Sequence, residues 1–188
     1  MKIGILALQG DFDKHRKVIE KLGHTAVPVR KQKELEQCDK LIIPGGESTT
    51  FLYLIDRLSL REPLLNFGAS MPVMGTCAGL IILATQADHL PHEPLGLIDM
   101  RVDRNAYGRQ INSFVDTVRI AVNGIERPFE AVFIRAPKIM EYGSSVTPLG
   151  KHGDDVVMAR NANILVASFH PELTDDTRIH NYFIEAVG

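Results

Sequence analysis

Hydrophobic positions follow two regimes along this chain. Residues 2–8 are almost continuously apolar, as in a strand covered on both faces. Gln9-Gly10-Asp11 breaks the run. His15, Val18, Ile19 and Leu22 then recur at helical spacing, with Asp11 or Asp13 as a cap and Gly23 as a stop. Residues 25–29 predict a second strand, 35–39 a brief helical turn or loop, and 41–43 a third strand ending at Pro44-Gly45-Gly46. A helix follows over 48–58, opening at Glu47 or Ser48, with Phe51, Leu54, Ile55 and Leu58 on one face. Residues 63–67 give a second helical piece. The apolar residues 72–74 end another buried strand, and Leu80 to Leu83 start a further helix.

The second regime runs from about residue 99 to 168. Alternating runs at 110–115, 118–122, 131–134, 156–160 and 164–168 are split by Gly, Pro and Asn, which predicts strands, largely antiparallel. The C-terminus returns to helix. Thr174 suits its N-cap, Asp175 and Asp176 favour its dipole, and Ile179, Tyr182, Phe183 and Ala186 form its apolar stripe. Strands alternating with helices in the first half predict an α/β fold. It is expected to be a flavodoxin-like three-layer sandwich, with a mostly parallel central sheet and additional antiparallel strands in the C-terminal half. In such sheets, sites lie beyond the C-terminal ends of strands. No repeat or linker divides the chain, so residues 1–188 are expected to form a single domain.

Composition narrows the function classes. The formal net charge is −2, and the basic stretch Arg30 to Lys33 is answered at once by Glu34 and Glu36, which argues against nucleic acid. No apolar run approaches the length of a membrane span, and the first residues pass straight into a strand pattern. The expected setting is the cytoplasm, where a free thiol persists. There are 2 cysteines, Cys38 and Cys77, too few for a four-cysteine zinc site. His89, His92 and Glu93 lack a further ligand, so no metal site is expected there. His15, His24, His152 and His180 read as surface residues.

Three stretches carry candidate chemistry. Gly75-Thr76-Cys77-Ala78-Gly79, between a strand and a helix, has the form of a nucleophile elbow, a sharp turn that exposes its middle side chain. A buried structural cysteine between loop glycines is the alternative. Ser168-Phe169-His170-Pro171-Glu172 follows a strong strand and offers a base, His170, with Glu172 to orient it. A strand-end histidine satisfied by a neighbour would look the same. Pro44-Gly45-Gly46-Glu47-Ser48 lets backbone N–H groups approach a substrate oxygen, and with the Ala78 N–H could form an oxyanion hole at Gly46 and Ala78. A plain strand-to-helix turn is the other reading.

In this order and spacing the three stretches resemble class I glutamine amidotransferases. Leu8-Gln9-Gly10-Asp11, the run from Pro44 to Thr50, Gly75 to Ala84, Arg104 to Gln110, Phe133-Ile134-Arg135-Ala136-Pro137 and Ser168 to Thr174 extend the likeness to the glutaminase subunits of pyridoxal 5′-phosphate synthases. Ala106-Tyr107 departs from that pattern, which would have Ser-Phe. The resemblance covers essentially the whole chain. It implies Cys77 as nucleophile, His170 as general base and acid, and Glu172 as orienting acid. It also implies a glutamine site of Gly45, Gly46, Glu47, Arg104, Ile134 and Arg135, with Gln9 in support. The implied reaction converts L-glutamine and water to L-glutamate and ammonia, with no cofactor or metal. Ammonia would pass to a synthase subunit in a hetero-oligomer. A glutaminase feeding another synthase would share the triad alone, and a flavodoxin-like redox or chaperone protein would share only the elbow.

Overall fold

The computed structural model describes residues 1–104 and 113–188. Strands β1 (Lys2–Leu6), β2 (Thr25–Val29), β3 (Lys40–Ile43) and β4 (Val73–Thr76) alternate with helices α1 (Phe12–Lys21), α2 (Gln32–Leu35), α3 (Ser48–Arg57) and α4 (Arg61–Ser70). Helix α5 (Ala78–Leu83) leads into β5 (Ala84–Asp88), β6 (Ile98–Asp103), β7 (Phe114–Val122), β8 (Ile125–Phe133), β9 (Lys138–Tyr142), β10 (Thr147–His152), β11 (Asp155–Arg160) and β12 (Ile164–Ala167). A 3₁₀ turn (Pro171–Leu173) and helix α6 (Arg178–Ala186) complete the order.

The main sheet runs β2-β1-β3-β4-β12-β11-β10-β7-β8. Its first five strands are parallel, and the last four continue it by antiparallel pairing. A smaller sheet, β5-β6-β9, is not hydrogen-bonded to it but shares its apolar core through Ile98, Met100, Val102 and Ile139. Parallel strands alternate between two apolar layers. Leu41, Ile43, Val73, Ile164 and Val166 join the residues of α3 and α5 on one side. Ile3, Ile5, Ile42, Met74, Leu165 and Ala167 join α1 and α6 on the other. Both faces of the sheet are therefore covered, which is why these strands are apolar at nearly every position. This is the expected α/β sandwich.

Several boundaries differ from the sequence reading. The first strand ends at Leu6 rather than residue 8, and the short helical segment is Gln32–Leu35 rather than 35–39. The last helix starts at Arg178, not after Thr174. Thr174 has extended backbone and its hydroxyl bonds back to the Pro171 carbonyl at 3.3 Å, closing the 3₁₀ turn instead. Strands 118–122 and 131–134 are the ends of one long hairpin, β7–β8, turned by Asn123 and Gly124 at φ 53° and 73°. The predicted strand 110–115 and the motif residues 105–110 fall largely on 105–112, outside the described residues.

Candidate active site

Strand order assembles the site. β4 lies between β3 and β12, so the chain segments leaving these three parallel strands emerge side by side. The Cys77 amide bonds the Ala167 carbonyl at 2.9 Å, extending the β4–β12 ladder one residue past β4. Cys77 then turns sharply, at φ 50° and ψ −105°, and α5 begins at Ala78. A side chain at positive φ is strained and persists only where its surroundings fix the backbone. Packing fixes it here. A Cβ on Gly79 would stand 2.1 Å from the Ile43 carbonyl oxygen, so α5 rests directly on the end of β3.

His170 leaves β12 three residues later, and its amide bonds the Val132 carbonyl at 2.9 Å. Its Nδ1 lies 2.7 Å from Glu172 Oε1, and both side chains are almost wholly buried. Among the described residues Nε2 has no conventional hydrogen-bond partner. Burial disfavours the imidazolium, but Cys77 and Glu172 outweigh it and raise His170 to about 10. Glu172 would likewise be raised by burial, yet His15 and His170 hold it well below the usual carboxylate range. The Cys77 thiol sits 3.7 Å from the Ile134 carbonyl, so the Ile134–Arg135 segment flanks it. Arg135 itself is exposed and left-handed, at φ 46°.

The Gly45–Gly46 turn closes the opposite wall. A Cβ on Gly45 would stand 2.3 Å from His170 Cε1, so only a glycine backbone passes the imidazole at this distance. Gln9 braces the turn, its amide donating to the Glu47 carbonyl at 2.9 Å. Glu47 is the N-cap of α3 and accepts from the Thr49 and Thr50 amides at 3.1 and 2.7 Å. Its partial burial opposes ionisation, but the Thr50 and Thr49 amides hold the carboxyl below its ordinary value. Arg104 reaches across to Glu47 Oε1 at 3.0 Å and to the Thr49 hydroxyl at 3.0 Å. Ala78 is the first residue of α5, so its N–H has no partner within the helix.

The structure thus links Cys77, His170, Glu172, Gly45, Gly46, Glu47, Gln9, Ala78, Ile134 and Arg104 through contacts and chain neighbours at the ends of β3, β4 and β12. Arg135 is adjacent in sequence, on the exposed side of the same segment. Among the described residues no group of three or more His, Cys, Asp or Glu side chains is arranged to hold a metal ion. Cys38 lies elsewhere, under β1, where burial and then Asp39 push its thiol up to about 11.

Two residues read as surface are wholly buried. His15 and His180, from α1 and α6, are fully excluded from solvent and meet with Nδ1 and Nε2 3.0 Å apart. His15 Nε2 faces both Thr76 Oγ1 at 3.2 Å and Glu172 Oε2 at 3.4 Å. The available signal was the spacing of His15 with Val18 and Ile19, which had already placed it in the apolar stripe of α1.

A buried cysteine elbow on one parallel strand, beside a histidine–glutamate pair on the next, places the fold and site in the class of glutamine amidotransferases. The profile of the SNO glutamine amidotransferase family matches residues 5–188, and the chain belongs to that family. Among its relatives, the pyridoxal 5′-phosphate synthase subunit PdxT of Thermosipho africanus is 50% identical over 100% of this chain and 99% of its own length. The protein of the same name from Pelotomaculum thermopropionicum is 51% identical over 98% of this chain and 94% of its own. A crystal structure of a glutamine amidotransferase superposes with a TM-score of 0.90 at 42% identity, covering 97% of each chain.

Proposed function

We propose that this chain hydrolyses L-glutamine to L-glutamate and ammonia and supplies the ammonia for pyridoxal 5′-phosphate synthesis. Membership of the amidotransferase family and the names of the relatives support the overall reaction. The observation that carries the mechanism is the strained Cys77 elbow held beside the His170–Glu172 pair.

In this reading the Cys77 thiolate attacks the side-chain amide carbon of glutamine. The tetrahedral oxyanion takes hydrogen bonds from the amides of Ala78 and the Gly46 turn. His170, as imidazolium, gives its Nε2 proton to the departing ammonia and leaves a γ-glutamyl thioester. It then takes a proton from water, whose oxygen displaces the thiolate. Glu172 keeps Nδ1 of His170 protonated and in place. Arg104 clamps the α-carboxylate of glutamine, and Glu47 receives the α-ammonium, so substrate enters between two groups now paired with each other. Ile134 and Arg135 complete that wall. The reaction requires no cofactor or metal.

The whole chain acts as one glutaminase domain, in the cytoplasm, docked on a synthase subunit. Among the described residues no helix is long and apolar enough to cross a membrane. Docking has a chemical rationale: ammonia released into water is protonated and lost as a nucleophile. The glycine-rich turn at Gly45–Gly46, braced by Gln9, can reorient when the partner binds. The test is ammonia release from glutamine, measured with and without the synthase subunit. The chain alone should be weakly active, the complex markedly faster in kcat, and Cys77→Ala inactive in both. Activity surviving in Cys77→Ala would overturn the mechanism.

A further inference from the structure

Glu172 has two oxygens, and the triad accounts for one. Oε1 accepts from His170 Nδ1 at 2.7 Å. Oε2 is buried and makes no conventional hydrogen bond among the described residues, yet His15 Nε2 stands 3.4 Å from it, within ion-pair reach. An ionised carboxylate only accepts, so the nitrogen facing it carries a proton. The same nitrogen lies 3.2 Å from the hydroxyl of Thr76, the residue before Cys77. His15 therefore touches both strand ends of the site, the one that presents the thiol and the one that presents the base.

Behind it, His15 Nδ1 meets His180 Nε2 at 3.0 Å, so one ring donates and the other accepts. His180 Nδ1 has no hydrogen-bond partner among the described residues. Two wholly buried imidazoles beside an apolar cluster are costly to bury. A layer built only for packing would hold aliphatic side chains at both positions. The groups facing His15 are Glu172 from the 3₁₀ turn, Thr76 from β4 and His180 from α6, and together they fix its ring.

We propose that His15 is a positioning residue for the amide hydrolysis, anchoring Oε2 of Glu172 so that Oε1 stays aligned on His170. The inference rests on the triad reading above. Without His15 the carboxylate loses the partner of one oxygen and can rotate away from the imidazole, which slows acyl transfer while leaving the glutamine pocket untouched.

The test is a double-mutant cycle on ammonia release by the full chain. His15→Leu should lower kcat by about 10-fold or more with KM little changed, the scale typical of groups that orient a reacting side chain. In a Glu172→Gln background the same substitution should cost almost nothing further, because the carboxylate it holds is gone. His15→Gln, whose amide can donate near the Nε2 position, should recover part of the loss. Equal losses in both backgrounds would mean a packing role and overturn the inference while sparing the triad. Full activity of Glu172→Gln alone would overturn both. Should His15→Leu fail to fold, the comparison of His15→Gln with His15→Asn decides. Only the longer amide reaches Glu172, so equal activity of the two refutes the proposal.

Discussion

The backbone at Cys77 stores strain whose size can be predicted and measured. Its φ of 50° and ψ of −105° suit glycine and oppose any residue with a Cβ. The geometry is held by the Cys77 amide on Ala167, by the Cys77 carbonyl accepting from Leu80, and by the close approach of Gly79 to Ile43. Such a conformation costs about 1–3 kcal/mol. Comparing Cys77→Gly with Cys77→Ala isolates that cost, since both lack the thiol and its contact with Ile134. At an unstrained position glycine would be less stable than alanine by about 0.4–1 kcal/mol, through the freedom of the unfolded chain. Here relief of strain exceeds that penalty. The glycine variant should be the more stable of the two by about 1 kcal/mol, or about 2–4 °C in Tm for a chain of this size. Urea titration and thermal unfolding, run side by side, measure the difference. A glycine variant less stable than the alanine variant by the usual amount would refute a strained elbow. Neither variant should hydrolyse glutamine.

Two further outcomes follow from the site and the network beneath it. Arg104→Lys should raise KM for glutamine several-fold with kcat less affected, because a point charge replaces the forked donor that now spans Glu47 and Thr49; steady-state kinetics check it. His180 is lowered to about 3, chiefly by burial and then by His15, against an ordinary value of about 6.5. The unfolded chain therefore takes up a proton below about pH 6.5 that the fold refuses, and stability falls as pH drops from there. His180→Phe should flatten the decline in Tm between about pH 6.5 and 4, and an unchanged slope would contradict the assigned burial.

The parallel half of the fold was legible because both faces of each strand are buried, which writes continuous apolar runs into residues 2–6 and 41–43. The antiparallel half was less so. β10 contains Pro148 and Gly150 and shifts register around Gly150, so its sequence reads as loop. The first half of β8 carries Glu126, Arg127 and Pro128 on an exposed edge strand, where a missing N–H is tolerated. β5 was hidden by the apolar run of α5, which passes from helix to strand at Ala84 without a polar break. That Cys77 would lie near the His170–Glu172 pair was legible because each motif directly follows a short apolar strand, and those two strands pair in the sheet. His15 and His180 were not. They are 165 residues apart, and nothing local to either announces that the other will meet it across the layer. Thr76 and Thr49 were passed over for a related reason, since their hydroxyls gain partners only when β4 and Arg104 are in place.

The central claim is that Cys77 is the nucleophile toward the glutamine side chain. Its most direct measurement is covalent labelling of the chain, in complex with its synthase partner, by a glutamine analogue bearing an electrophile at the amide carbon, followed by peptide mass spectrometry. The account predicts one label per chain, on the peptide carrying Cys77, suppressed by excess L-glutamine, with Cys38 unmodified because burial keeps its thiol protonated. A label on Cys38, or none on Cys77 in a complex that still releases ammonia, would contradict it.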